Sequence, residues 1–359
     1  MKYPVLLMGR ALGTGGTERQ LTETAKALDR SVFEPHVGVF KAGGMRTSEL
    51  SGQGIPVVEF PITSFLSLGA WQAAWQLIRY IRRHKIRLVH TWDYPLTTFA
   101  IPPTRLFTSA VPVTSQRSDR CLIPRHYRPL IAMTDRLANA IVVNCDFVRR
   151  HLVTDAHVPD RKIRLCYNGI DTDRFQRVQA GNASLLIGTV CVLRPEKDLP
   201  TLMDAFARLT PGPQLAIVGS GPESAHLTGY AQTAGIAGNC HFEPATPHVT
   251  EWLSKLDIFV LPSRSEALSN SLMEAMACGC CVVASDVGGN PEMVRHGETG
   301  MLFPAGDAQA LAATLQNLAA DAALRQTLAR NARVFIHEKF SIQALGKRMG
   351  EIYTELLSD

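Results

Sequence analysis

The chain has 359 residues, 46% of them hydrophobic and 19% charged, with a formal net charge of +5. That length favours two domains of ordinary size, and the apolar content can fill two cores. No run of about 18 apolar residues free of charge occurs, which excludes a transmembrane helix. Met1-Lys2-Tyr3 leads straight into a strand and not into a cleavable signal peptide, so a cytoplasmic protein is expected. The eight cysteines are scattered, and most, such as Cys166, Cys191 and Cys281, sit in apolar runs, as reduced thiols do. Cys278, Cys280 and Cys281 lack the paired CxxC or nearby histidine of a zinc site, so neither metal nor other cofactor is expected.

The net charge hides an asymmetry. Up to Val178 there are 25 Lys+Arg against 14 Asp+Glu, a net +11, and the remainder has 12 against 18, a net −6. A basic first half points to an anionic partner. No nucleic-acid motif and no aromatic–basic interleaving is present, so an anionic membrane surface or a phosphorylated acceptor is expected before DNA or RNA.

In chain order, Val5 to Met8 reads as a buried strand that meets Gly9, Gly13, Gly15 and Gly16. Thr17 and Gln20 form a capping box opening a helix with Leu21, Ala25 and Leu28 on one face. Strands follow at Val37–Phe40 and Val57–Phe60, a helix over about residues 70–84, and strands at Leu88–His90, Val111–Ser115 and Ala140–Val143. Asp171 to Ser184 reads as a polar linker. A second series then runs through a strand at Leu186–Val192, a helix at Leu199–Leu209, a strand at Leu215–Val218 ending in Gly219-Ser-Gly221-Pro222, and strands at His241–Phe242, Ile258–Leu261 and Cys280–Ala284. Pro291 opens a short helix after Gly288 and Gly289. Helices close the chain at Ala308–Leu318, Ala322–Phe335 and Ile342–Leu357. This alternation specifies α/β domains with parallel sheets, whose ligands bind at the carboxyl ends of the strands.

Within the second series, Ser265 to Glu274 carries two glutamates eight positions apart. Glu266 falls in the loop after a strand. Glu274 falls in the first turn of a helix beginning near Ser271 and ending at Gly279. A helix N-terminus suits phosphate, and carboxylates accept hydrogen bonds from hydroxyls, so a nucleotide sugar would match. The structural alternative is that Ser271 and Glu274 are a capping box and that Glu266 is solvated.

Six segments in order settle the comparison: Gly13 to Arg19 (GTGGTER), Leu88-Val89-His90, Tyr167 to Phe175 (YNGIDTDRF), Leu193 to Asp198 (LRPEKD), Val218 to Pro222 (VGSGP), and Glu266 to Glu274 running on through Gly279 to Gly288-Gly289. Over nearly its whole length the chain resembles the retaining glycosyltransferases of family four, which have the GT-B fold and an EX7E signature. The resemblance implies two Rossmann-like domains facing across a cleft. Residues 1–178 would form the acceptor-side domain and 183–339 the nucleotide-sugar domain, with a C-terminal helix at about 340–359 packing back on the first. It implies transfer of a sugar, with retention and without a metal, from a nucleotide-sugar donor (a UDP-sugar before a GDP-sugar) to a saccharide or lipid-linked saccharide in polysaccharide or glycoconjugate synthesis. The alternatives are a nucleotide-sugar epimerase or hydrolase of the same fold and a non-catalytic nucleotide-sugar-binding protein. A dehydrogenase is disfavoured, because no GxGxxG follows the first strand.

Residue by residue, the resemblance assigns Glu274 to the ribose hydroxyls, Glu266 to hydroxyls of the transferred sugar and Lys197 to the diphosphate. It assigns the backbone of Leu268, Ser269, Asn270 and Ser271 to sugar and phosphate, the backbone of Gly15 and Gly16 to phosphate, and His90 to the neighbourhood of the sugar. Alternatively, Lys197 is solvated, His90 is a satisfied core histidine and the glycines are a flexible turn. The family often has arginine where this chain has Val192, which leaves Arg194 either to supply the second phosphate contact from a different backbone position or to be solvated. Ala267 and Cys281 replace a common glycine and proline, and Pro244-Ala245 replace a glycine near the base.

Two features lie outside these motifs. Arg117, Asp119 and Arg120 follow a strand end and are expected either to meet the acceptor or to form a salt-bridged loop. Trp71, Trp75 and Ile78 share a helical face near Arg79, Arg82, Arg83 and Lys85. Such a stripe is expected to pack on the sheet, the alternative being a helix lying at a membrane interface.

Overall fold

Short apolar runs alternating with amphipathic segments build two separate parallel sheets, the arrangement that βα alternation requires. In the computed structural model, residues 2–13, 15–62, 67–118, 120, 123–176, 184–209 and 212–358 are described. The chain divides into one unit of Met1–Gly169 with Ile342–Asp359 and another of Ile170–Ser341. The Asp119 expectation and most of the linker, residues 177–183, fall outside the described residues.

The first unit runs β1 (Tyr3–Gly9), α1 (Gly16–Ala27), β2 (Phe33–Val39), α2 (Met45–Ser51), β3 (Val57–Glu59), α3 (Leu68–Arg83), β4 (Leu88–Thr91), α4 (Tyr94–Phe107), β5 (Val111–Gln116), α5 (Arg128–Leu137), β6 (Ala140–Val143), α6 (Asp146–Thr154) and β7 (Ile163–Leu165). Its strand order is β3-β2-β1-β4-β5-β6-β7, so the connections reverse direction between β1 and β4. Side chains alternate across β1. Val5 and Leu7 join one core with α1, and Leu6 and Met8 join another with α3 and α4. Both faces are apolar because helices cover both.

The second unit runs β8 (Leu186–Val190), α7 (Leu199–Ala207), β9 (Gln214–Val218), α8 (Ser224–Thr233), β10 (Cys240–Glu243), α9 (Val249–Lys255), β11 (Ile258–Leu261), α10 (Asn270–Ala277), β12 (Cys281–Ser285), α11 (Asn290–Met293), β13 (Met301–Phe303), α12 (Ala308–Ala320) and α13 (Ala322–Lys339). The order β10-β9-β8-β11-β12-β13 places its reversal between β8 and β11. The last helix, α14 (Ile342–Ser358), belongs to the first unit. Its Leu345, Met349, Ile352, Tyr353 and Leu356 lie in the same core as Leu21, Ala25 and Leu28.

Several local expectations are corrected. Neither capping box forms. Helix α1 is preceded by Gly15 without a side-chain cap, and Gln20 instead brackets Gly169, its Nε2 donating to the Gly169 carbonyl and its Oε1 accepting the Gly169 N–H, both at 2.9 Å. Helix α10 is capped by Ser269, whose Oγ accepts the Leu272 N–H at 3.4 Å, so Glu274 lies beyond the third helical position that a capping box needs. On α3 the inward stripe is Ala70, Ala73, Leu77 and Ile81, with Ile78 also buried, whereas Trp71 and Trp75 are 72% and 62% exposed. The tryptophans therefore do not pack on the sheet.

Helix α4 has no counterpart in the sequence reading, since Pro102 and Pro103 lie inside it. A mid-helix proline costs about 3 kcal/mol. The helix forms because Asp93 caps it, with Oδ1 accepting from Leu96 N–H at 3.0 Å, and because Leu96, Phe99, Ala100 and Ile101 are buried along it.

Close approach of α14 to α1 depends on Gly346, where a Cβ would stand 2.4 Å from the Ala27 carbonyl oxygen. The Gly346→Val variant is expected to lose about 1–3 kcal/mol of stability, the usual cost of overpacking. Urea denaturation measures it, and an unchanged midpoint would contradict this packing.

Candidate functional site

The carboxyl end of the second sheet forks between β8 and β11, and the chain's conspicuous polar residues meet there. After β8, a tight turn at Pro195–Lys197 ends in Asp198, which is held at φ +47°. After β11, the segment Pro262–Ser269 leads into α10. The Lys197 ammonium donates to Glu266 Oε1. The same oxygen accepts from Ser263 Oγ at 2.8 Å. Both side chains are largely withdrawn from water, 17% exposed for Lys197 and 11% for Glu266.

Two further contacts clamp the two loops, and a third braces the first of them. The Arg264 N–H donates to the Glu196 carbonyl at 2.9 Å. The Arg264 guanidinium pairs with Asp198, Nε to Oδ2 at 3.0 Å, and the Thr201 hydroxyl donates to the same Oδ2 at 2.7 Å. Beneath them, Ser285 Oγ donates to the Ser263 carbonyl at 2.6 Å, and Asn290 Nδ2 donates to the Ser285 carbonyl at 3.0 Å. Gly288, at φ +58°, lies so close that a Cβ would stand 1.7 Å from the Glu266 carbonyl oxygen. Only glycine holds that conformation and that distance.

Leu268 and Ser269 are buried at the entrance to α10, Asn270 and Ser271 are half-buried in its first turn, and Glu274 is buried one turn on. The amide N–H groups of that first turn are a site for negative charge. A ligand with both anionic and hydroxyl groups therefore finds a cation, a carboxylate and a helix N-terminus within one pair of loops. Arg194 stands apart: its side chain is 59% exposed and, among the described residues, pairs only with Glu196, at 3.8 Å. Cys191, beside Lys197, is a thiol pushed up to about 11 by burial. Among the described residues no group of three His, Cys, Asp or Glu side chains is placed to hold a metal ion. Ser263, Arg264 and Asp198 were missed in the sequence, where nothing in their spacing reveals the partners.

The first unit treats its expected site residues differently. Gly15 precedes the first turn of α1 and Gly16 begins it, and the Glu18 carboxylate folds back to the space a Cβ on Gly15 would fill. His90 is fully buried. Its Nδ1 meets the Tyr353 hydroxyl at 2.7 Å and its Nε2 meets Ser115 Oγ at 2.8 Å, so it presents no surface to a sugar and is instead a satisfied core histidine. Trp92 packs against it, with ring centroids 5.1 Å apart. The Arg117 guanidinium lies 3.9 Å above the Trp92 ring and donates to Asn168 Oδ1 at 2.5 Å, and burial lowers its pKa to about 10. Arg120 pairs with Asp135 at 2.8 Å. Arg117 thus stands in a buried stacking contact and Arg120 in a shielded ion pair, with Arg117 Nε and Nη2 and Arg120 Nε left without a hydrogen-bond partner among the described residues. Asp93 cements the fork between β1 and β4, with Oδ2 accepting the Arg10 N–H at 2.9 Å.

Comparison with known proteins follows the same lines. A family model described as Glycosyl transferases group 1 matches residues 171–335, and one described as Glycosyltransferase Family 4 matches residues 14–174. The chain is 27% identical over 226 residues to the N-acetyl-alpha-D-glucosaminyl L-malate synthase of Bacillus anthracis, covering 59% of each. It is 27% identical over 276 residues to the lipopolysaccharide core biosynthesis mannosyltransferase LpcC of Rhizobium leguminosarum bv. viciae, covering 72% of this chain and 73% of that one. The chain spans less than two thirds of the length of several curated relatives it matches, the malate synthase among them. The crystal structure of Anabaena Alr3699/HepE in complex with UDP superposes with a TM-score of 0.86 at 21% identity, covering 99% of this chain and 100% of that one.

Burial holds the His90 pKa well below 6.5, helped by the positive charge of Arg117. The unfolded chain therefore takes up a proton that the folded one refuses. This contribution is present above about pH 6.5 and is lost as pH falls below it. His36, lowered mainly by its burial, acts with the same sign. Urea denaturation at about pH 7.5 and about pH 5.5 is expected to show lower stability at the acid value, with a smaller difference in His90→Gln. An equal difference in the variant would remove His90 from the account.

Proposed function

The chain belongs to the group 1 glycosyltransferases of GT-B fold, and on that premise we propose that it moves a sugar from a nucleotide-sugar donor to a saccharide or lipid-linked saccharide, with retention at the anomeric carbon. The observation that carries this reading is the Lys197–Glu266 pair at the fork of the second sheet. Each partner satisfies the other in the free protein, and each matches one half of the donor. The diphosphate takes the ammonium, and sugar hydroxyls take the carboxylate.

Departure of the nucleoside diphosphate places negative charge on the leaving oxygen. Lys197 and the N–H groups at the start of α10 answer that charge as fixed donors, the most effective kind of transition-state stabilisation, and no metal is assigned a part. The departing phosphate accepts the acceptor's proton on the face it leaves, so no protein base is assigned. Glu274 holds the ribose hydroxyls, and Gly15 and Gly16 offer backbone N–H groups at the start of α1. UDP is favoured as the leaving group, supported by its presence in the Anabaena structure. The saccharide acceptor is supported by the relative of lipopolysaccharide core synthesis. A lipid-linked acceptor would place the protein in the cytoplasm, peripheral to the membrane.

Thermal shifts with UDP, GDP, ADP and their sugars test the donor. A ligand at about one hundred times its dissociation constant stabilises by about 2.7 kcal/mol, and the largest shift is expected with a UDP-sugar. Glu274→Ala should abolish it. Lys197→Ala should weaken binding by about 1.5–3 kcal/mol, the worth of a hydrogen bond to a charged group. No shift with any nucleotide would sink the proposal, and a full shift in Glu274→Ala would return that residue to a packing role. Free sugar and nucleotide without a glycoside would mark hydrolysis or epimerisation instead.

A further inference from the structure

Between Phe60 and Ser118 the sequence has seven Lys and Arg residues and one acid, Asp93. Asp93 is spent on capping α4 and on the Arg10 N–H, and Arg117 is turned into the core. The other six cations, Arg79, Arg82, Arg83, Lys85, Arg87 and Arg105, are all exposed. None of them is in an ion pair among the described residues. Helix dipoles account for cations in the last turns of α3 and α4, but not for Arg79, Lys85 and Arg87.

Beside this charge stands exposed apolar surface that the fold does not use. Leu68 is 82% exposed and shares the outer side of α3 with Trp71 and Trp75. At the other end, Leu106 and Phe107 close α4 and are also exposed. The two helices are joined there, the Arg82 Nη2 donating to the Phe107 carbonyl at 2.8 Å. A hollow of about 600 Å³ opens between them, lined by Arg82, Lys85, Arg87, Leu106, Phe107 and Thr108. Both helices run from here into the amino ends of β4 and β5, so this junction lies at the edge of the sheet opposite the one that carries Gly15 and Asp93, and the apolar stripe runs from it along α3.

We propose that the outer face of α3, with the end of α4, is a docking surface for an anionic lipid bilayer. Tryptophan seats its amphipathic ring at the level of the headgroups, and arginine and lysine beside it meet their phosphates. An apolar stripe flanked by cations and free of acids is the pattern of a helix lying in the interface plane. Here α3 carries two apolar stripes: the inner one builds the core and the outer one is left for the lipid. Delivery of a lipid-linked acceptor follows from this only on the transferase reading above, but the lipid contact itself does not depend on that reading.

The test is co-sedimentation of the whole protein with vesicles of phosphatidylcholine alone and of phosphatidylcholine with phosphatidylglycerol. Binding is expected only to the second and should weaken as salt rises to about 0.5 M. Trp71→Ala with Trp75→Ala leaves the charge unchanged and should cut the partition at least about tenfold. Arg79→Glu with Lys85→Glu should do the same. Both variants change exposed residues and should keep the wild-type melting temperature and donor-induced thermal shift. Those two readouts separate a failed docking surface from a failed transferase assignment. Absence of binding to anionic vesicles at low salt, equal binding by the tryptophan variant, or capture of an acidic protein in place of vesicles would overturn the proposal.

Discussion

In a parallel sheet every strand ends at the same edge, and the two neighbours at a reversal send their loops in opposite directions. In the second unit those loops follow β8 and β11, and the Lys197–Glu266 ion pair spans the divide. The rest of the local structure serves that contact. Arg264 ties the loops by backbone and side chain, Ser263 fixes the carboxylate, and Gly288 lets the next crossover lie against the Glu266 backbone. A charge pair this far withdrawn from water is expensive to leave half-made. The protein therefore keeps each group satisfied by the other.

Among the described residues, the first unit solves the same topological problem without an ion pair across its fork. At its fork, Asp93 accepts backbone N–H groups from both sides, and the neighbouring strand ends are filled by His90, Trp92, Ser115 and Arg117 packed on one another. These residue types resemble those of a binding site; His90 has both ring nitrogens satisfied, whereas Trp92 Nε1 and Arg117 Nε and Nη2 are buried without a hydrogen-bond partner among the described residues. The excess positive charge of this half divides accordingly. Arg117 and Arg120 are internal, whereas Arg79, Arg82, Arg83 and Arg105 stand exposed on α3 and α4.

Much of this was legible in the sequence. Apolar runs and the 3.6-residue period located most strands and helices, because a parallel sheet covered on both faces demands uninterrupted apolar strands. The Glu266-to-Glu274 segment was placed correctly on a loop and a helix for the same reason. What escaped was everything decided by distant partners. His90 looks the same in sequence whether it meets a ligand or Tyr353, and that tyrosine lies 263 residues away. The capping patterns at Thr17 and Ser271 were present as strings. Gln20 was taken by Gly169, and Ser269 capped α10 two residues early. Periodicity also marked an apolar face on α3 without saying which of two stripes the sheet would accept.

The return of α14 to the first unit has a consequence for biosynthesis. The polypeptide leaves that unit at Gly169 and re-enters it at Ile342. On the ribosome, the unit begun first is the one finished last. Leu21, Ala25 and Leu28 on α1 are synthesised early, and Met349, Ile352 and Tyr353, which complete their core, emerge only after the whole second unit. At ordinary elongation rates the delay is on the order of ten to thirty seconds. Throughout it α1 lacks the helix that covers its apolar face in the finished fold.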